Sequence, residues 1–187
     1  MNINILLILL MILGLSLGIF ENSLVTGKTL SKINFMQALK VAFILILIQI
    51  PVLIAGWFSG EKFEAIVQNY DRWIPLSLLA AIGIKMIFES FKLNSKLQKL
   101  KSLTINLLLG IVLAILIDTL LIGMSFAFFN YDLLLILLIS TVVSFFAALL
   151  GLVLGKKMNK KFQSQIKIIG GFILIGSCLN LLLLPQV

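Results

Sequence analysis

The chain has 187 residues, 61% of them hydrophobic and 12% charged, with a mean hydropathy of +1.19. No water-soluble domain of this size hides that much apolar surface, so the composition excludes a soluble enzyme and indicates an all-α, polytopic membrane protein. The formal charge of +8 lies in loops, where lysines set orientation and imply no nucleic-acid partner; with no histidine and one cysteine, Cys178, there is no His-ligated metal site and no internal disulfide.

Six spans of about 20 residues with short loops account for the whole chain as one transmembrane domain. The first is predicted over Ile5–Val25; its first lysine is Lys28 and no small-residue cleavage site follows, so it reads as a retained span. Gly14, Gly18 and Asn22 recur every fourth residue and make a flat face for a neighbouring helix or a site. Glu21 shares part of that face, either reaching into the bundle or snorkelling to water. The second span, Ala38–Phe58, carries Gln49 and Pro51, and Glu61–Asp71 is predicted as a solvated loop. Trp73 opens the third span at an interface, and Lys85 and Glu89 near its end stand four apart on one face, to pair with each other or to serve transport.

The fourth span lies within an apolar run from Leu103 to Phe129 whose only charge is Asp118. A carboxylate in mid-span costs roughly 2.5–3.5 kcal/mol on insertion scales, so it needs a proton, a cation or a polar partner inside the bundle. Asp118 is the first functional candidate, with a hydrogen bond to a neighbouring helix as the structural alternative. The short Asn130-Tyr131-Asp132 turn makes spans four and five an antiparallel hairpin. The fifth span, Leu133–Leu154, contains Ser140, Thr141 and Ser144 and leads into Gly151 and Gly155, a small-xxx-small pattern. The sixth, Ile168–Leu184, contains Gly170-Gly171, Gly176, Ser177 and Asn180, and follows a basic loop read as Lys156 to Lys167.

Loops one, three and five carry nearly all the lysines, whereas loops two and four carry Glu61, Glu64, Asp71 and Asp132 against Lys62 and Arg72. The positive-inside rule then puts loops one, three and five in the cytoplasm and both termini outside. Three spans per half, residues 1–92 and 103–187, give the halves opposite orientation, the arrangement of an inverted repeat with a site at its interface.

Across this order of spans the sequence resembles the small six-helix manganese efflux pumps of bacteria, the MntP type. The resemblance is carried by Gly14-Leu15-Ser16, Gln49 with Gly56-Trp57 (Pro51 lies two residues earlier than the family's proline), Trp73-Ile74, Gly83-Ile84-Lys85-Met86-Ile87-Phe88-Glu89, Asp118 with Gly123, Ser125 and Ala127-Phe128, and Gly151, Gly155 and Gly170-Gly171. It implies a bacterial cytoplasmic-membrane exporter of a divalent metal ion, manganese, working by proton antiport, without a bound cofactor and without enzymatic activity. No nucleotide motif suggests ATP as the energy source.

The chain departs from the family pattern where the first-span aspartate is Gly18, where the glutamate before the Gly-Gly pair is Lys167, and where hydroxyl residues before Asp118 are Ile115 and Leu116. Manganese favours about six oxygen-rich ligands. The expected set is Asp118, Glu21 and Gln49, supported by Asn22, Ser125, Thr141, Asn180, Glu89 and Lys85, with Gly14, Gly18, Gly151, Gly155, Gly170 and Gly171 in helix packing. With fewer acids than the family, export of an organic cation on the same scaffold, or a membrane protein that no longer transports, are the alternatives.

Overall fold

The computed structural model describes residues 3–29, 34–66, 73–96, 105–128, 132–155 and 157–183. The described chain is six helices: α1 (Ile3–Thr29), α2 (Phe35–Ile66), α3 (Trp73–Lys96), α4 (Ile105–Ala127), α5 (Leu133–Leu154) and α6 (Lys160–Leu183). Five of them carry stretches long and apolar enough to cross a membrane, and within α4 the described apolar stretch is Ile115–Ala127. Asn130, Tyr131, Lys99, Lys101 and Lys156 lie outside the described residues.

Because the helices are apolar nearly all round, polarity and size decide which face turns inward. On α5 the buried stripe is Ile136, Ser140, Ser144, Ala148, Gly151 and Leu152, while Leu134, Leu138, Val142, Phe146 and Leu150 are exposed. Similar exposed residues, such as Phe43 and Leu47 on α2, Phe88 on α3 and Phe172 on α6, complete a surface suited to lipid. Asp132 caps α5, its side chain accepting from the Leu134 N–H at 3.1 Å.

Two sequence expectations are corrected. Helix α2 does not stop at Phe58 but runs through Glu61 to Ile66, and Pro51 sits inside it on the exposed face. A proline removes one ladder bond, which a long helix tolerates. Nor is Lys167 a loop residue: α6 begins at Lys160, and Lys167 is buried. A run of nearby lysines makes this stretch look solvated, but partners on other helices neutralise Lys167.

The most extensive packing is α1 on α5, α2 on α4 and α3 on α6; α1 also meets α6 and α4, α3 meets α4, and α2 meets α5. Exchanging α1 with α4, α2 with α5 and α3 with α6 converts the α1–α5 pair into α4–α2 and the α1–α6 pair into α4–α3.

Glycines bring backbones together at these crossings. A Cβ at Gly151 would meet the Phe20 carbonyl oxygen at 2.6 Å, and one at Gly155 the Leu24 carbonyl oxygen at 2.5 Å. On the α2–α4 crossing, Gly60 stands against the Met124 carbonyl oxygen at 2.6 Å, and Gly56 against the backbone of Leu120.

Candidate functional site

Five charged side chains from four helices form one chain of ion pairs. Lys85 Nζ on α3 lies 2.5 Å from Asp118 Oδ1 on α4 and 3.9 Å from Glu89 Oε1 one turn along its own helix. Lys167 Nζ on α6 lies 2.9 Å from Glu89 Oε2 and 3.0 Å from Glu21 Oε2 on α1. The order is therefore Asp118, Lys85, Glu89, Lys167, Glu21, alternating in sign throughout. The inner end is the drier: the Glu21 and Lys167 side chains are 1% and 7% exposed, against 31% for Lys85 and 36% for Glu89.

The local sequence explains why each member points inward. Glu21 follows Gly14 and Gly18 on the α1 face that meets α6, where Leu174 covers Gly14 and the Leu17 side chain lies over Gly170. Lys85 lies between Ile82 and Met86, both buried, while Ile84 and Phe88 on the other side of α3 are exposed. The long stems of both lysines pack along apolar neighbours while their ammonium groups find carboxylates.

Buried polar atoms at the inner end remain without hydrogen-bond partners among the described residues. They are Glu21 Oε1 and both amide atoms of Gln163, one turn before Lys167; elsewhere in the bundle Ser23 Oγ and Thr119 Oγ1 are also buried without a partner. Glu21 Oε2 is ion-paired with Lys167, at angles outside those of a hydrogen bond. Such atoms are costly unless water or an ion meets them.

Beside this chain lies a small cleft, open at its mouth, lined by residues of α1, α3, α4 and α6. Asp118 and Asn22 supply its charged and polar groups, Gly14 and Gly18 leave space on α1, and Met86, Ile115, Ile122 and Leu174 make up much of its apolar wall. Gly18 and Asp118 thus face one cavity. A Cβ at Gly18 would meet only the Met86 methyl, at an ordinary 3.6 Å.

The remaining predicted residues are dispersed. Gln49 does not line this cleft; it is buried and its Nε2 donates to Ser144 Oγ on α5 at 3.2 Å. Ser125 is buried and donates to the Leu121 carbonyl of its own helix, and Thr141 is half-buried on α5. The side chain of Asn180 lies outside those described. Among the described residues, no three His, Cys, Asp or Glu side chains are grouped to hold a metal ion. Gly14, Gly170 and Gly171 stand at close helix contacts, Gly171 against the Gly83 carbonyl oxygen.

Sequence reasoning missed Lys167 as a member of the buried chain, Gln163 beside it, and Ser144 as the partner of Gln49. Only an inward stripe of small and polar residues on α5 signalled Ser144.

Comparison with known proteins agrees with this architecture. The family model described as "Mntp: Putative manganese efflux pump" matches residues 32–182. A Methanosarcina barkeri protein named "Putative manganese efflux pump MntP" is 37% identical over 88% of each chain. Proteins of that name from Crocosphaera subtropica and Clostridium botulinum (strain Loch Maree) are 34% and 32% identical, over 88% and 90% of this chain and 89% of each relative. No solved structure matches the chain. With six apolar helices in the order the resemblance implies and a family match over most of its length, the chain belongs to the MntP family of efflux pumps.

Proposed function

We propose that this protein exports manganese across the cytoplasmic membrane in exchange for protons, with Asp118 as the carboxylate that receives the cargo. The observation that carries the reading is the position of Asp118: within α4, on a cleft between four helices, with its cationic partner Lys85 on another helix. An enclosed carboxylate of this kind is balanced by a cation, a proton or the Lys85 ammonium, so arriving cargo displaces the counter-charge it finds there. Asn22 offers a neutral oxygen across the cleft, and Glu21, with Oε1 unpartnered, is the acid that α1 contributes at the far end of the ion-pair chain.

The same reading takes α1–α3 and α4–α6 as inverted halves, with loops one, three and five in the cytoplasm. The exchangeable pairing of helices supports the first, and the loop lysines support the second. Asp118 lies at the interface of the halves, where such transporters place their cargo.

One observation favours a second reading. Among the described residues the cleft wall is mostly apolar and its one carboxylate is Asp118, which suits a singly charged organic cation better than a metal ion needing about six oxygens. Purified protein in proteoliposomes distinguishes the two. Manganese uptake that is lost in Asp118→Asn supports the metal reading, whereas competition by an alkylammonium ion without manganese uptake supports the organic one. Uptake of neither, or uptake unaffected by Asp118→Asn, sinks the assignment of Asp118.

A further inference from the structure

We infer that Lys85 is the internal counter-ion of the Asp118 site, held by Asp118 while no cargo is bound and handed to Glu89 when a cation enters. The inference rests on Asp118 being the cargo-binding carboxylate, and adds what pairs with it in the empty site and what the cargo must displace.

Reach is the first argument. The Lys85 ammonium is 2.5 Å from Asp118 Oδ1 and 3.9 Å from Glu89 Oε1, so it already stands between two carboxylates. Both distances belong to one flexible side chain, and closing the longer one takes only side-chain rotation. Occupancy is the second. Glu89 holds Lys167 through Oε2 and faces Lys85 with Oε1. Glu89 can therefore accept Lys85 fully without giving up Lys167.

Charge is the third. Among these five side chains the carboxyl groups of Asp118, Glu89 and Glu21 outnumber the ammonium groups of Lys85 and Lys167, so the group favours a further cationic charge. An arriving cation supplies that charge, and Asp118 is the carboxylate that faces the cleft. The two lysines also differ in freedom. Lys167 is buried between carboxylates on two other helices, whereas Lys85 is half-buried between Asp118 on α4 and Glu89 on its own helix. Lys85 moves, and Lys167 holds Glu89 in place to receive it.

Two consequences separate a counter-ion from a merely structural pair. First, cargo competes with Lys85, so apparent affinity is reduced by the fraction of time Asp118 is occupied. If that is about nine-tenths, removing Lys85 tightens binding roughly tenfold. Second, without Lys85 the empty protein carries a bare enclosed carboxylate, which opposes its return across the membrane. Net export then slows, while exchange of cargo for cargo, which never passes through the empty state, continues.

The test uses the full chain and Mn²⁺ as the probe, reading thermal shifts in detergent and both net flux and Mn²⁺/Mn²⁺ exchange in proteoliposomes. Lys85→Met is expected to respond at roughly tenfold lower Mn²⁺ than the parent, to lose most net flux, and to keep exchange. Glu89→Gln, which deprives Lys85 of its second acceptor, is expected to respond at higher Mn²⁺ than the parent and serves alone if Lys85→Met does not fold. Unchanged Mn²⁺ sensitivity in the variants, or equal loss of flux and exchange in Lys85→Met, overturns the counter-ion role while leaving Asp118 as the site if Asp118→Asn abolishes the response. A parent that shows no Mn²⁺ response, or an Asp118→Asn variant that responds like the parent, overturns the manganese site and the counter-ion role together.

Discussion

Gln49 on α2 donates its Nε2 hydrogen to Ser144 Oγ on α5 at 3.2 Å, joining the second helix of the chain to the fifth. The spacing from Gln49 to Ser144 along the sequence is also that from Gly56 to Gly151 and from Gly60 to Gly155. A second exchange appears between α3 and α6. The Ser90 hydroxyl donates to the Ser164 carbonyl at 3.0 Å, and the Cys178 thiol donates to the Leu76 carbonyl at 3.2 Å. Ser90 stands to Cys178 along the chain as Leu76 stands to Ser164, so each contact maps onto the other when the halves are swapped.

That hydrogen bond supplies a first prediction. Gln49→Leu strands the Ser144 hydroxyl in the bundle, and a buried polar group without a partner costs about 1–3 kcal/mol. The double variant Gln49→Leu, Ser144→Ala removes both groups. Thermal melting in detergent should show the double variant losing less than the sum of the two single losses. Additive losses would mean that the bond contributes nothing.

The inner ion pair supplies a second. Lys167→Met leaves Glu21, 1% exposed in its side chain, without its cation. Breaking a buried pair from one side costs about 3–5 kcal/mol, because the remaining charge stays desolvated. Lys167→Met with Glu21→Leu should recover most of the lost melting temperature and folded yield. A double variant no better than Lys167→Met alone would show that Glu21 is satisfied by something other than Lys167.

The contrast between these residues shows what the sequence could and could not reveal. The six spans were legible because each is a run of the right length, and Asp118 because it is the only charge in its run. Lys167 was not, since Lys160 and Lys161 nearby give it the local composition of a loop. What buries it is a pair of carboxylates on α1 and α3, far away in the chain, and hydropathy does not record such partners. Gln49 was expected as an oxygen ligand beside Asp118, but it stands off the described cleft against Ser144, a partner that depends on which helices touch. Periodicity identifies a face without saying what lies against it.

Helix crossings give a third prediction with an internal control. A side chain at Gly151 would strike the backbone and Ser23 of α1, whereas nothing lies within 4 Å of a Cβ at Gly176. Gly151→Leu should lower stability by about 1–3 kcal/mol or prevent assembly, as overpacking does. Gly176→Leu should melt within a degree or two of the parent. Equal effects at both positions would mean that α1 and α5 do not pack through this surface.

The last prediction concerns Gly18, the place where the resemblance implies an aspartate. Gly18 and Asp118 line the same cleft, and a Cβ at Gly18 meets only the Met86 methyl at 3.6 Å. Gly18→Asp therefore fits sterically and puts a second carboxylate opposite the first. Without a cation, two carboxylates sharing one site repel, so the variant should melt below the parent in chelator. With Mn²⁺ the repulsion becomes joint ligation by two hard oxygen donors, and the ion-induced rise in melting temperature should exceed the parent's. Gly18→Asn adds nearly the same volume and no charge, and should show neither the penalty nor the gain. In cells challenged with manganese, Gly18→Asp should protect at least as well as the parent, and Gly18→Asp with Asp118→Asn should fall back. If Gly18→Asn responds to Mn²⁺ as strongly as Gly18→Asp, the cleft between these two residues is not where the metal binds.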